Sequence, residues 1–319
     1  MKVNILMSTY NGQRFLAQQL DSVLKQTYKD WTLLIRDDGS SDRTPEIIAD
    51  YASRDSRIHF INPDKRENLG VVKNFYTLLK YQEADFYFFC DQDDVWLPEK
   101  LEVCLKEGQK YSQTAPLLVY TDLKIVNQGL AVLHESMIRT QSDHANTSLL
   151  QELTENTVTG GVAMINQATA ENWRGKDLDK VIMHDWYLAL VAAAKGTLIY
   201  LDQATELYRQ HDNNVLGART WSKRIKNWLQ PHKLIAKYWW LIDASQKQAK
   251  LLLNLELALT ERQLIEAYVY LLDQSWRQRR RILKQYGFAK NRPFHTLVFR
   301  TLVTTKIGYR HYQKYGYQA

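Results

Sequence analysis

The chain has 319 residues, 45% of them hydrophobic and 24% charged, with 13 Gly and 6 Pro. This composition excludes a disordered, collagen-like or low-complexity protein and allows a large core divided between two parts. The formal net charge of +7 conceals a division: residues 220–319 carry 19 Lys and Arg against 5 Asp and Glu, whereas residues 1–219 carry 23 against 30.

Strand and helix patterns alternate from the N-terminus. Val3–Ser8 reads as a buried strand, and Phe15 to Gln26 has helical spacing of Phe15, Leu16, Leu20, Val23 and Leu24. Thr32–Arg36 is a second strand, stopped by Asp37-Asp38-Gly39-Ser40. Thr44 is a candidate N-cap, with Pro45 in the first turn of a helix reaching about Arg54. Ile58–Ile61 is a third strand, Gly70 to Tyr81 a helix, and Asp85 to Cys90 an apolar, aromatic strand. Pro98 opens another helix to about Tyr111, and Leu117–Tyr120 is a further strand. Such alternation predicts an α/β fold built of βαβ units around a mostly parallel sheet. Right-handed crossovers then place the strand ends Ser8, Asp37 and Asp91 on one edge, where open α/β sheets bind ligands.

From about Trp221 strand patterns give way to helical stretches such as Leu234–Leu257 and Thr260–Gln285. A boundary near Ala218–Trp221 separates residues 1–219 from a basic, aromatic-rich helical region, 220–319. Cys90 and Cys104 are too few for a disulfide framework and read as reduced core thiols of a cytoplasmic protein. The opening Met-Lys-Val-Asn-Ile-Leu-Met-Ser-Thr turns polar too soon for a signal peptide. No run reaches the roughly 18 apolar residues of a membrane span, and Leu188–Leu201 is broken by Lys195 and Gly196. There is no internal repeat.

Three segments carry chemistry. Asp91, Asp93 and Asp94 put three carboxylates within four positions at the end of a buried strand, which is costly unless a cation sits there. Their hard oxygens suit Mg²⁺ or Mn²⁺, which can hold a diphosphate. Ser8-Thr-Tyr-Asn-Gly12 and Asp37-Asp-Gly-Ser-Ser-Asp-Arg-Thr44 follow the first two strands. A Tyr there can stack on a base, and a nearby carboxylate can accept the imino N–H of a pyrimidine. Read singly, the three segments are equally an acidic turn and two Gly turns. The missing Gly-x-Gly-x-x-Gly leaves a dinucleotide fold unsupported, and the missing Gly-x-x-x-x-Gly-Lys excludes a P-loop.

Taken with Gln26-Thr27, Arg36-Asp-Asp-Gly-Ser40, Asn68-Leu-Gly70 and Asp91–Pro98, these segments resemble the family-2 glycosyltransferases over roughly residues 1–215. Those are inverting enzymes of the GT-A fold, here with a C-terminal helical extension. The resemblance implies that Ser8, Tyr10 and Asp38 hold a pyrimidine nucleoside, that Asp91 lies near the ribose or the metal, and that Asp93 ligates Mg²⁺ or Mn²⁺ at the diphosphate. Thr159-Gly-Gly-Val-Ala-Met164 is small and apolar, as a segment approaching a ligand would be. It precedes Met183-His184-Asp185-Trp186, where the family places its catalytic base, so Asp185 takes that role, with His184 tuning or orienting it. An inverting transfer is a single displacement and needs one base. In Tyr208-Arg-Gln-His-Asp-Asn-Asn214, His211 is the further metal ligand and Arg209 the diphosphate contact. Asp94, Trp96, Gly160, Gly161, His184 and Trp186 are candidate acceptor or donor-sugar contacts.

Asp-Gln-Asp-Asp-Val-Trp, His-Asp-Trp and Tyr-Arg-x-His-x-x-Asn look like the rhamnosyltransferases of bacterial polysaccharide assembly, which use dTDP-β-L-rhamnose. The wider family also uses UDP-glucose, UDP-galactose and UDP-GlcNAc. The chain lacks the spanning helices and Gln-x-x-Arg-Trp of processive synthases, which favours single addition, with a lipid-linked saccharide as the implied acceptor. Trp221, Trp228, Trp239, Trp240, Trp276 and Arg277-Gln-Arg-Arg-Arg281 suit an anionic membrane surface, placing the enzyme at the inner membrane face. The alternative is that these aromatics pack the helices or form a homodimer interface. No nucleic-acid module is recognised. A sugar nucleotidyltransferase would want a Gly-rich, cationic N-terminal loop, which Ser8–Gly12 is not. A catalytically silent sugar-nucleotide-binding protein would not need Asp91, Asp93, Asp185 and His211 together.

Overall fold

A computed structural model describes residues 1–141, 145–175, 178–211 and 231–317. The first half alternates as expected: β1 (Val3–Thr9), α1 (Leu16–Leu24), β2 (Thr32–Asp37), α2 (Thr44–Arg54), β3 (Ile58–Phe60), α3 (Val71–Tyr81) and β4 (Phe86–Asp91). There follow β5 (Val95–Trp96), α4 (Lys100–Gly108), β6 (Leu117–Val126), β7 (Val132–His134), α5 (Met137–Gln141) and α6 (Leu149–Thr154). A turn of 3₁₀ helix at Gly160–Val162 leads into β8 (Ala163–Asn166), then α7 (Gln167–Trp173), α8 (His184–Lys195) and β9 (Thr197–Arg209). The C-terminal helices are α9 (Pro231–Lys250), α10 (Leu259–Val269), α11 (Trp276–Tyr286), α12 (Pro293–Thr305) and α13 (Tyr309–Tyr315).

Among the described residues the strands form one sheet in the order β3-β2-β1-β4-β8-β6-β9-β5, with β7 paired to β6. β3, β2, β1 and β4 are parallel, as are β6 and β9, but β8 runs antiparallel between β4 and β6. Of the parallel strands, β1, β2 and β4 are largely apolar runs buried on both faces, and their alternation feeds two cores. Val3, Ile5, Met7, Leu33, Ile35, Phe86 and Phe88 meet α1, α2 and α4 on one side. Leu6, Leu34, Tyr87 and Phe89 point to the other side, where α3, α6, α7 and α8 cover them. That second core runs on without a break through Trp239, Ile242, Ile265, Phe299 and Val303 of the C-terminal helices.

Several boundaries differ from expectation for local reasons. Thr44 is the first helical residue of α2, not its cap; Asp42 Oδ1 accepts the Thr44 N–H at 3.0 Å and does that job instead. The stretch Thr260–Gln285 is two helices, because Leu271–Asp273 tightens to 3₁₀ and Ser275 with Gln278 forms a capping box that starts α11. The boundary near Ala218–Trp221, together with Trp221 and Trp228, lies outside the described residues. Cys90 and Cys104 are free and buried, one on β4 and one on α4. No helix among the described residues is long and apolar enough to cross a membrane.

Candidate active site

The parallel register brings three loops to one edge. Ser8 lies opposite Asp91 across β1 and β4, and Thr9 lies opposite Asp37 across β1 and β2. Gln92 clasps the first loop: its Oε1 accepts the Tyr10 N–H and its Nε2 donates to the Tyr10 carbonyl, both at 2.8 Å. The ring of Tyr10 is left 51% exposed, free to stack on a planar ligand. Asn74 Nδ2 donates to Ser8 Oγ at 2.6 Å and Arg36 Nη1 donates to Asn74 Oδ1 at 3.1 Å, so Ser8 belongs to a network that reaches Asp38.

Asp38 is not an open acceptor. It is buried, paired with Arg36 at 2.7 Å, and accepts the backbone N–H groups of Leu69 and Gly70 at 2.8 and 2.9 Å. Gly70 reaches it with a positive φ of 77°. Asp38, expected to help hold the pyrimidine nucleoside, here ties β2 to the Leu69–Gly70 turn. Asp37 accepts the N–H groups of Gly39 and Ser40, which closes the turn.

The acidic cluster has a cationic floor. Lys100 is fully buried; its Nζ donates to Glu206 and to the Gly161 carbonyl and lies 4.0 Å above the Trp96 ring. Trp96 is 2% exposed, so it roofs Lys100 and is not a sugar contact. Glu206 is buried too, and its Oε1 has no hydrogen-bond partner. A Cβ on Gly161 would come within 2.8 Å of Glu206 Oε1 and 3.2 Å of Asp91 Oδ2, so both carboxylates press on that glycine. Burial, then the charges of Asp93, Glu206 and Asp185, push the Asp91 carboxyl up to about 8 against the pull of Lys100. Asp94 is buried and shifted upward by burial and then by the charges of Glu206, Asp93 and Asp91; its Oδ1 accepts the Arg209 N–H at 2.9 Å, while Oδ2 has no hydrogen-bond partner among the described residues.

His211 Nε2 and Asp93 Oδ2 are 2.7 Å apart, which joins the two residues expected to hold a metal. The His211 ring lies 5.1 Å from Phe15 at the head of α1. Among the described residues no three His, Cys, Asp or Glu side chains converge as a cage. One carboxylate and one imidazole beside uncompensated buried carboxylate oxygens fit a divalent cation whose remaining ligands come from a diphosphate and water. Arg209 does not reach out to such a ligand. It is 1% exposed, donates Nε to the Asp93 carbonyl at 2.8 Å, Nη2 to Gln18 and Nη1 to the Gln128 carbonyl, and stacks 4.4 Å over Phe15. It clamps the Asp93–Asp94 backbone, which corrects its expected role as a diphosphate contact.

Asp185 opens α8 and is 5% exposed. Burial pushes its carboxyl up to about 6, opposed by hydrogen bonds from the Trp186 N–H, the Asn156 side chain and the Gly160 N–H. Gly160 thus adjoins Asp185 and Gly161 adjoins Asp91, and the two carboxyl groups are near enough for the charge of Asp185 to raise Asp91. His184 does not orient Asp185. It sits in an aromatic box, with ring centroids 4.4 Å from Phe75 and 4.8 Å from Phe89, neither nitrogen has a partner, and burial takes its pKa down to about 3. Trp186 faces the core and donates Nε1 to the Glu152 carbonyl at 2.7 Å, so it too is no sugar contact.

Sequence reading missed Gln92, Lys100, Glu206 and Asn156. Gln92 stood inside the acidic motif; a lone acid in the apolar, aromatic run Thr205-Glu-Leu-Tyr was the available sign of Glu206.

The sequence model of glycosyl transferase family 2 matches residues 4–166, just over half of the chain and every strand from β1 to β8. The dTDP-rhamnosyl transferase RfbG of Shigella flexneri is 27% identical over 223 residues, 66% of this chain and 74% of that protein. The UDP-Glc:alpha-D-GlcNAc-diphosphoundecaprenol beta-1,3-glucosyltransferase WfgD of Escherichia coli is 34% identical over 130 residues, 41% of this chain and 49% of that protein. Among solved structures, S. aureus TarS 1-349 in complex with UDP-GlcNAc is similar with a TM-score of 0.55 at 15% identity, covering 98% of this chain and 87% of that one. The mannosyltransferase PcManGT from Pyrobaculum calidifontis, in complex with GDP-Man and Mn2+, gives a TM-score of 0.58 at 14% identity, covering 99% and 88%. These structural likenesses speak for a shared α/β fold of GT-A type, and the family match speaks for the chemistry. With its acidic strand end and buried carboxylate base candidate lying on that fold, the chain belongs to glycosyl transferase family 2 and is a glycosyltransferase.

Proposed function

We propose that the protein is an inverting transferase that moves L-rhamnose from dTDP-L-rhamnose to a lipid-linked saccharide acceptor, adding a single sugar at the inner face of the cell membrane. The observation that supports this reading is a buried carboxyl, Asp185, beside Gly160 and raised to about 6, next to Gly161 and the acidic strand end at Asp91. Asp185 takes the proton of the acceptor hydroxyl. The acceptor oxygen bonds to the anomeric carbon, and the bond from that carbon to the diphosphate oxygen breaks on the opposite face. Tyr10 stacks on the base, Ser8 and Asp91 face the nucleoside, and the Asp38–Arg36 pair holds the loop around it. Asp93 and His211 would hold Mg²⁺ or Mn²⁺, which neutralises charge on the leaving diphosphate when bound. Gly160 and Gly161 leave room for the donor sugar, and Asp94 supports it from below.

The RfbG relative, aligned over two thirds of the chain, supports dTDP-rhamnose. WfgD, whose name specifies UDP-Glc and a diphosphoundecaprenol-linked acceptor, supports a lipid-linked acceptor and keeps a UDP-hexose as the second reading for the donor. The test is a screen of nucleotide sugars with purified protein and Mg²⁺ or Mn²⁺, scoring the nucleoside diphosphate released. Release of dTDP from dTDP-rhamnose, abolished in Asp185→Asn, is the expected result. Release of UDP from a UDP-hexose with none from dTDP-rhamnose selects the second reading, and release of pyrophosphate defeats both.

A further inference from the structure

We infer that the junction of α11, α12 and α13 is a docking surface for a bilayer with anionic headgroups. The inference deepens the lipid-linked acceptor reading, which supplies its purpose, while the surface is argued from the C-terminal helices alone. Arg279, inside the basic run, is not part of that surface. It is buried and donates Nη2 and Nε to the Thr304 carbonyl at 2.8 and 3.3 Å, tying the first turn of α11 to the last turn of α12. The tie brings the Trp276 end of α11 to the Ile307 end of α12. Trp276 is 52% exposed and Ile307 56% exposed.

The cations around this apolar pair are arranged, not scattered. Arg277, Arg280, Arg281 and Lys284 recur at i, i+3, i+4 and i+7, all exposed, on the face of α11 opposite buried Arg279. Arg277 and Arg280 lie 5.6 and 5.8 Å from the Trp276 ring centroid. None of the four makes an ion pair among the described residues. At the same junction opens a crevice of about 610 Å³ whose lining includes Lys306, Arg310 and His311, with Asp273 as its carboxylate. Like charges on one stripe repel unless an anionic surface faces them. A soluble polyanion would answer the charges but leave Trp276 and Ile307 in water, with Phe294 and Leu297 of α12 also exposed. A bilayer interface takes both: indole and aliphatic tips enter the acyl boundary while guanidinium groups sit among headgroup phosphates.

The test uses the full chain and two vesicle types, phosphatidylcholine alone and phosphatidylcholine with phosphatidylglycerol, in a sedimentation assay at low and high salt. Binding to the anionic vesicles only, lost at high salt, is expected. The variant Arg277→Gln/Arg280→Gln/Arg281→Gln/Lys284→Gln should bind at least ~10-fold more weakly, given the usual contribution of a basic residue near an anionic surface. Trp276→Ser should also weaken binding, and in the parent the indole emission should shift to the blue on vesicles. Both variants should keep the parent's melting temperature and its donor turnover. Equal binding by the parent and the fourfold variant overturns the inference. So does capture on heparin without capture on anionic vesicles, or a salt-stable dimer that ignores vesicles. Vesicle binding with no sugar transfer would defeat the proposed function and leave this surface standing; transfer without vesicle binding would do the reverse.

Discussion

At the scale of single residues, the proposed mechanism makes the acidity of Asp185 the determinant of the pH range. A general base works as the carboxylate, so activity is present above its pKa and lost as pH falls through it. With the carboxyl held at about 6, kcat/KM should decline below about pH 6, where an ordinary aspartate would hold to about 4. A profile flat down to pH 4.5 would sink the assignment. Asp185→Asn keeps the shape but cannot take the proton; kcat should drop ~10²-fold or more while donor affinity, measured by calorimetry, changes little. Asp93→Ala deletes a charged side chain that is partly exposed, so the fold should survive, with a melting temperature near that of the parent. Transfer should fall to background, and the gain in donor affinity on adding Mn²⁺ should vanish. Full activity of the parent in EDTA without added metal would show that Asp93 and His211 meet for another reason.

At the scale of elements, β9 organises the site from below. Within four positions it delivers Glu206 to Lys100 and Arg209 to the Asp93 carbonyl, while Leu207 pairs back to Val95 of β5. Lys100 and Glu206 are both buried, and breaking such a pair from one side costs ~3–5 kcal/mol because the remaining charge is stranded. Lys100→Met should therefore lose far more stability in urea than Lys100→Met/Glu206→Leu; equal losses would mean that the two do not act as a pair. This arrangement explains what the sequence disclosed and what it hid. The parallel strands β1, β2 and β4 were legible because each is an apolar run ending in a polar loop, and the ligand edge follows from crossover handedness alone. That Asp91, Asp93, Asp185 and His211 would come together was legible as a family pattern. The partners of Asp38, Arg209 and Trp96 were not, because a charged or aromatic residue in a motif looks the same whether it faces a ligand or the core. Lys100 stands where a helix begins and Glu206 lies 106 residues later; only the β5–β9 pairing unites them. The break between α10 and α11 was hidden because apolar spacing continues across Leu271 and Leu272 while the backbone turns.

At the scale of the whole molecule, charge divides the chain but packing does not. The acidic N-terminal part and the basic C-terminal part share one apolar core, in which Leu153, Trp186 and Leu190 continue into Trp239, Ile265 and Phe299. Thr154 Oγ1 donates to the Ala289 carbonyl, and the Asn291 N–H donates to Glu155 at 2.8 Å, which stitches the same seam. A protein cut after residue 219 should then expose that face. We expect it to aggregate, or to bind a hydrophobic dye and melt without a cooperative transition, although every proposed site residue is retained; a soluble, cooperative and active fragment would show two independent units. The shared core also has a consequence in time. As the chain is synthesised, β9 and the whole sheet exist before α9 to α12 do, and the face carrying Leu153 and Trp186 waits uncovered. On the same expectation competence arrives only when those last helices close over it, and the elements proposed to meet the membrane would then also be the ones that complete the enzyme.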